Sequence, residues 1–432
     1  MAVSISFLHC GDIHLGNNQY NEPVRLEDFA KAFRQVTDYA LKNKVDFVLI
    51  SGDFFHKRAI NAGTLEQAVE LLKPLKEADI PLIAIEGNHD KAYYKDKNSW
   101  LSFLNNQKYL YLLQPSFKDG SIELLPWNNE ESKGSIFDLL NVRIYGLGYL
   151  GITTATRLSE VQDYIVKDND KYNIMLLHAG VNRLLGQDLG GVKTEIMEPF
   201  KDKIDYVALG HIHTRYDIDD WIYNPGSLEC CHLDEFKYGV EKGFYHVTVK
   251  DGQKSMKYIN SKYRPVCICS IKIEEKIIME ELYSVITEEL KNEVKSSGFQ
   301  IRVILRGKSS FSPLQLDMND MEENLQKDFE ALYVEIVNEL NLPQEGSVSS
   351  VNGFKREEIE KLVFKSLLEK NTNWQDEQLD KAVDVVSKIK ELVLNDSSEE
   401  ELTEFLVQIG EYLISGEDEV QVPFKTEEGE KE

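Results

Sequence analysis

Five short motifs in the first half of the chain carry residues of the types that bind metal ions. They are Asp12-Ile-His14, Gly52-Asp53, Gly87-Asn88-His89-Asp90, His178 and Gly210-His211-Ile-His213. Together they predict a centre for two divalent cations, and such a pair, roughly 3.5–4 Å apart, clamps both the attacking and the leaving oxygen of a displacement at phosphorus. The chemistry is phosphate-ester hydrolysis. One carboxylate must bridge the cations, and Asp53 is expected to do so. Asp12, His14, Asp53 and His213 are assigned to one cation, and Asp53, Asn88, His178 and His211 to the other. Mixed imidazole, carboxylate and amide donors suit manganese, iron or zinc better than magnesium or calcium, which prefer all-oxygen shells. The expectation is two Mn2+ per chain, with Fe2+, Zn2+ or Mg2+ as substitutes. His89 is not needed to fill either shell, and is predicted to contact the phosphate or protonate the leaving oxygen. Asp90 follows it and is expected to orient its imidazole. His56, three residues beyond the bridging carboxylate, is expected to support that carboxylate or touch substrate.

Such donors have to be held rigidly, and the sequence supplies the means. Each motif follows an apolar run that reads as a buried strand: residues 4–8, 47–50, 82–85, 174–177 and 206–209. Ligands on short loops above a rigid sheet are preorganised for chemistry. Between the strands lie amphipathic helices over residues 26–42, 64–78 and 98–105, so residues 1–262 are predicted to form one layered α/β domain. Strands 243–249 and 255–259, joined by residues 250–254, read as its closing hairpin.

The five motifs resemble those of the calcineurin-like metallophosphoesterases, which include phosphatases and cyclic-nucleotide phosphodiesterases. Flanking residues narrow the resemblance. Asp12-Ile-His-Leu-Gly16 with Tyr20, Arg25 and Asp28-Phe29 is similar to the start of the SbcD-type DNA repair nucleases, the Mre-eleven family. So are Gly52-Asp-Phe-Phe-His56 followed by Gly63-Thr-Leu65, Ile85-Glu-Gly-Asn-His-Asp90, and Tyr223-Asn-Pro-Gly-Ser-Leu-Glu229. The match covers residues 1–260; beyond them it rests on layout. The resemblance implies a four-layer αββα metallophosphoesterase fold and a manganese-dependent nuclease subunit for DNA double-strand-break repair. It also implies a partner, an SbcC-type SMC-like coiled-coil ATPase. A homodimer through helices 64–78 and 98–105 is expected, with Leu71, Leu72, Leu75, Trp100, Leu101 and Leu104 as its apolar surface. Two other readings stay open: a phosphodiesterase or phosphatase acting on a nucleotide or phosphoprotein, and a mainly structural scaffold for the ATPase.

The 432 residues are too many for one ordinary core. Residues 263–342 alternate strands (266–273, 299–306, 331–337) with helices (279–295, 317–329), which predicts a small α+β domain. In the resembling family this position holds a cap over the active site, and Arg302, Arg306 and Lys308 are its candidate DNA contacts. Residues 343–354 read as a polar linker. Helices 355–368, 376–394 and 399–414 follow within a predicted ATPase-binding segment, 355–415, and the charged tail 416–432 is expected to be disordered.

The net charge of −25 opposes simple nucleic-acid binding, because Lys/Arg excess is the usual footprint of a protein that meets a polyanion. The acidity is uneven: residues 1–260 hold 29 Lys/Arg against 36 Asp/Glu, while residues 261–432 hold 20 against 38. Five cysteines (Cys10, Cys230, Cys231, Cys267, Cys269) do not form a disulfide framework. With no apolar run of about 20 residues and no basic-apolar leader, a cytoplasmic chain without membrane spans is expected.

Overall fold

The computed structural model describes residues 4–93, 96, 98–181, 191–236, 241–274, 276–309, 311, 316–341, 360, 361, 364, 365, 368 and 376–394. Contacts divide the chain into two units, Met1–Pro343 and Gln344–Glu432.

Two six-stranded sheets form the heart of the first unit. One runs Gln253–Asn260, Gly243–Lys250, Ser4–Cys10, Phe47–Ile50, Leu82–Ala84, Tyr111–Leu112; the other runs Tyr216–Ile218, Ile222–Asn224, Tyr206–Gly210, Tyr172–His178, Val142–Gly148, Ile136–Leu139. The period of two in each strand decides which residues meet. Phe7, Phe47, Leu49 and Ile83 point toward the second sheet and pack with Ile144, Ile174, Leu176 and Tyr206. Their neighbours Leu8, Cys10, Val48 and Ile50 point the other way, against Phe33, Val36, Leu71, Leu72 and Leu104 of the helices Pro23–Asn43, Ala62–Glu77 and Trp100–Asn106. On the far side Met175, Leu177, Val207 and Leu209 pack with Leu158, Val161 and Phe200. The result is helix, sheet, sheet, helix: four layers, with strands apolar on both faces because both faces are covered.

The closing hairpin is tighter than the expected five-residue loop. Its strands run to Lys250 and resume at Gln253, leaving Asp251 and Gly252 at φ 51° and 76°. An Asp-Gly pair with both φ positive makes a two-residue turn whose twist matches the strands.

A separate core follows. Val266–Ile273, Gln300–Lys308 and Tyr333–Asn341 form a sheet that is parallel throughout, crossed by helices Met279–Glu293 and Met318–Asp328. The expected α+β character is therefore narrowed to a parallel α/β unit, since each helix serves as the crossover that a parallel pair requires. The last strand also starts two residues later than the sequence pattern indicated.

The residues that carry the family resemblance fasten this small sheet to the larger body. The fully buried Arg25 guanidinium donates to Gln19, Asp28, Glu229 and the Cys230 carbonyl. Arg264 donates to both oxygens of Asp28. Tyr20 stacks on Tyr333, ring centroids 3.5 Å apart and planes within 5°.

In the second unit, helix Asp376–Leu394 runs antiparallel to a helical segment containing Glu360, Lys361 and Lys365. Lys361 pairs with Asp384, Lys365 with Asp380, and Lys390 with Glu360. Leu379 and Val383 are buried. The linker 343–354, most of helix 355–368, the helix at 399–414 and the tail lie outside the described residues. Among the described residues no helix is long and apolar enough to cross a membrane.

Candidate metal centre

Five parallel strands deliver the donors. Asp12 and His14 follow Ser4–Cys10, Asp53 follows Phe47–Ile50, Asn88 follows Leu82–Ala84, His178 ends Tyr172–His178, and His211 and His213 follow Tyr206–Gly210. The backbone must turn sharply where each strand stops. Asp12, His14 and Asp53 all sit at φ 50° and His211 at φ 91°. Left-handed backbone at non-glycine residues costs on the order of 1–3 kcal/mol each and persists only when the surroundings dictate it. Here the two loops are laced together: Asp12 N donates to Gly52 O at 3.1 Å, and Ile13 N and His14 N both donate to Asp53 O at 2.9 and 3.0 Å. Gly87 leaves room for the Asp53 carboxylate, since a Cβ there would lie 2.0 Å from its Oδ1.

The seven expected donors converge. Ligand atoms of Asp12, His14 and Asp53 lie within 4.8 Å of one another, and so do those of Asp53, His178 and His211. Asp53 belongs to both groups, with Oδ2 at 3.3 Å from His178 Nε2 and 3.9 Å from His14 Nε2. Asn88 Oδ1 stands 3.2 Å from His178 Nε2 and 3.1 Å from His211 Nδ1. His213 Nε2 is 3.0 Å from His14 Nε2 and 4.0 Å from Asp12 Oδ1.

Tautomers follow from partners that can only accept. His178 Nδ1 must donate to the Ser51 carbonyl at 2.6 Å, which turns the Nε2 lone pair inward. His213 Nδ1 lies 2.6 Å from Glu235 Oε1 with the same consequence. Fixing a ligand imidazole through its other nitrogen is how metal sites orient their histidines. These nitrogen and oxygen donors fit divalent manganese, iron or zinc.

Burial alone would lower the His178 imidazole, but Asp53 and Asp12 outweigh it and push it up to about 9. Burial opposes ionisation of Asp53, yet His178 and His14 hold it well below the usual carboxylate range. His14 is driven well below its ordinary value by burial and by His213.

His56 and His89 flank this centre. The rings of His14 and His89 are 5.0 Å apart, edge to face, and those of His56 and His89 are 5.6 Å apart and stacked. His89 Nδ1 donates to the His56 carbonyl at 2.6 Å, leaving Nε2 for another partner. The expectation that Asp90 orients His89 is corrected. The buried Asp90 carboxylate accepts instead from the backbone amides of Phe54, Phe55 and Gly87, at 3.1, 2.9 and 3.0 Å. It clamps two ligand loops together, because three converging amides offer a buried carboxylate more than one imidazole would.

Several neighbours carried no motif. Glu235 accepts from His213 and also from the buried ammonium of Lys242. Burial works against its charge, but Lys242 and His213 bring it down to about 2. Tyr149 lies against His211, centroids 5.5 Å apart. Only the local excess of polar residues in 229–235 hinted at the first of these.

Two further groups of candidate residues have partners within the chain. Arg302 is held by Asp234 and by Glu335, its register partner on the next strand, and Arg306 by its own partner Glu339 at 2.6 Å. Exposed ion pairs of this kind contribute little and can exchange for another anion; Lys308 is exposed. Leu71, Leu72, Leu75, Leu101 and Leu104 fill the chain's own core, and Phe103 faces outward with Trp100 half-buried. A helical stripe looks alike whether it serves a core or an interface.

Comparison with known proteins agrees with this geometry. Residues 5–215 match the calcineurin-like phosphoesterase family. The chain is 32% identical over 257 residues to the DNA double-strand break repair protein Mre11 of Archaeoglobus fulgidus, covering 56% of each chain. It is 28% identical over 274 residues to the protein of that name from Saccharolobus solfataricus, covering 62% of this chain and 66% of the relative. With that of Methanococcus maripaludis it shares 30% identity over 311 residues, 67% of this chain and 74% of the relative. The chain thus spans 56% to 74% of the length of these relatives. Strand ends, donors and sequence point the same way: the chain belongs to the Mre11 family of calcineurin-like phosphoesterases.

Proposed function

We propose that this chain is a two-metal, manganese-dependent DNA nuclease subunit that cleaves phosphodiester bonds during double-strand-break repair. The observation that carries the reading is Asp53, whose one carboxylate belongs to both donor groups. Asp12, His14, Asp53 and His213 would hold one cation; Asp53, Asn88, His178 and His211 would hold the other. Two bound divalent cations supply Lewis acidity at phosphorus and an activated water. The protein supplies the rest. Ser51 and Glu235 fix the imidazoles of His178 and His213. His89 Nε2 donates a proton to the leaving oxygen, and His56 seats His89 through its carbonyl.

Residues 355–415 serve a coiled-coil ATPase of the SbcC type, since they include the amphipathic helix Asp376–Leu394 and lie in a unit of their own, which suits a helix-in-groove partner. A second copy of the chain would meet the first through Trp100 and Phe103, and light scattering at micromolar concentration would then give twice the chain mass. The deciding experiment is a cleavage assay on linear duplex and single-stranded DNA with manganese, with and without the ATPase. Cleavage that depends on metal supports the reading. Hydrolysis of a small phosphodiester with no cleavage of either DNA would favour a nucleotide or phosphoprotein substrate.

A further inference from the structure

The thiol of Cys231 lies at the metal centre and takes no part in the assignment above. Ligand atoms of His14, His213 and Cys231 lie within 4.8 Å of one another. Donors sharing one ion, with sulfur at about 2.3 Å and nitrogen at about 2.0 Å from it, stand roughly 3–4.3 Å apart, depending on how many donors the ion takes. His14 and His213 stand 3.0 Å apart through their Nε2 atoms, and beside Asp12 and Asp53 the sulfur would be a fifth donor to that cation.

The backbone around Cys231 is fixed on every side. Gln19 donates to its carbonyl at 2.7 Å, Arg25 donates to the preceding carbonyl of Cys230 at 2.9 Å, and its own N–H donates to Glu235 Oε2 at 3.4 Å. Glu235 is the same carboxylate that turns the His213 lone pair inward. One acidic group therefore orients both the imidazole and the segment carrying the thiol. The thiol's own bond is weak, to Glu229 O at 3.9 Å, so little is lost when it changes partner. Its neighbour Cys230 points elsewhere, to the His232 carbonyl at 3.4 Å.

We propose that Cys231 supplies a thiolate ligand to the cation on the His14–His213 side, raising that position's affinity for zinc relative to manganese. The inference rests on the two-cation reading and deepens it. Binding exchanges the S–H bond for a sulfur–metal bond, and one proton leaves to solvent for each cation taken up. Thiolate is a soft donor that favours zinc, while manganese prefers oxygen. The two positions would then differ in their affinity for zinc, with the softer one set by a residue outside all five motifs.

Cobalt(II) titrated into the metal-free full-length chain tests this. The expected spectrum has visible bands from the imidazole-rich centre and, in addition, a near-ultraviolet thiolate-to-cobalt charge-transfer band. Cys230→Ser should keep that band; Cys231→Ser and Cys231→Ala should lose it and keep the visible bands. In competition titrations Cys231→Ser should lower zinc affinity about tenfold or more and leave manganese affinity within about threefold. A wild-type spectrum with visible bands but no charge-transfer band overturns the thiolate and leaves the two-cation reading standing. A band that survives both Cys231 substitutions overturns it equally. No cobalt bands of either kind would sink the two-cation reading itself. The wild-type and Cys230→Ser spectra decide the matter even if the buried Cys231 tolerates no replacement.

Discussion

Glu235 Oε1 lies 2.6 Å from His213 Nδ1, so a carboxylate 22 residues further along the chain fixes the tautomer of a candidate metal-binding imidazole. The same carboxylate holds the Lys242 ammonium and the amide of His232. Losing it frees the His213 ring to rotate and leaves a buried lysine without its counter-ion. Glu235→Ala is expected to weaken manganese binding about 10–100-fold, read by isothermal titration. An unchanged affinity would mean that His213 does not depend on this contact.

His89 and Asp53 separate catalysis from metal binding. Asp53 Oδ1 is held by the backbone N–H of His89 at 2.9 Å, a bond that side-chain replacement leaves in place. His89→Ala should keep both cations and lose about 10²–10⁴-fold in cleavage rate, the usual contribution of a general acid. Asp53→Ala should lose metal together with activity. Metal analysis beside a rate measurement checks the pair; loss of metal from His89→Ala would make it a ligand.

Asp90 behaves differently from its neighbour. Its removal strands three buried amides, each costing about 1–3 kcal/mol when left without an acceptor. Asp90→Ala is expected to destabilise the metal-free protein by several kcal/mol in urea unfolding. A variant of native stability that is merely slow would return Asp90 to a catalytic role.

His9 should make stability fall in acid. Burial lowers its pKa from 6.5 to about 3. Its Nε2 donates to the Leu209 carbonyl at 3.0 Å, so Nδ1 accepts from the Tyr206 hydroxyl at 2.9 Å, and protonation would break that bond. The unfolded chain takes up the proton first, near pH 6.5, so the stability is present above that value and is lost as pH falls toward 3. His9→Gln should be less stable at pH 7.5 but show a shallower decline from pH 6.5 to 4. Parallel slopes for the two proteins would refute this.

The proposed ATPase-binding segment should be separable from the chemistry. The first 343 residues form a unit of their own with all seven donors. A chain ending at Val351 is expected to fold, take up manganese and hydrolyse a small phosphodiester at a rate within about twofold of the full chain. It should no longer co-purify with the ATPase. Retention of the ATPase by the shortened chain would move the binding surface into the first unit.

The sequence by itself determined where donors sit along the chain and which layers carry them. Apolar runs buried on both faces are conspicuous, and each donor motif follows such a run within a few residues, so strand and site were legible together. The helix Asp376–Leu394 was equally plain, because its period is local. Tertiary structure decided what depends on meeting across distance. Glu235 and Lys242 reach His213 over 22 and 29 residues, through contacts that no spacing rule encodes. Asp90 stands beside His89 in sequence yet answers to amides of the Phe54–Phe55 loop. Leu71 and Leu104 present the stripe of an interface helix, and only the packed sheet beneath shows that the stripe is already used. Arg302 and Arg306 read as free cations until register places Glu335 and Glu339 opposite them. Cys231 enters the metal centre because a loop anchored by Arg25 and Gln19 folds back over it, a path that depends on hydrogen bonds spanning more than 200 residues.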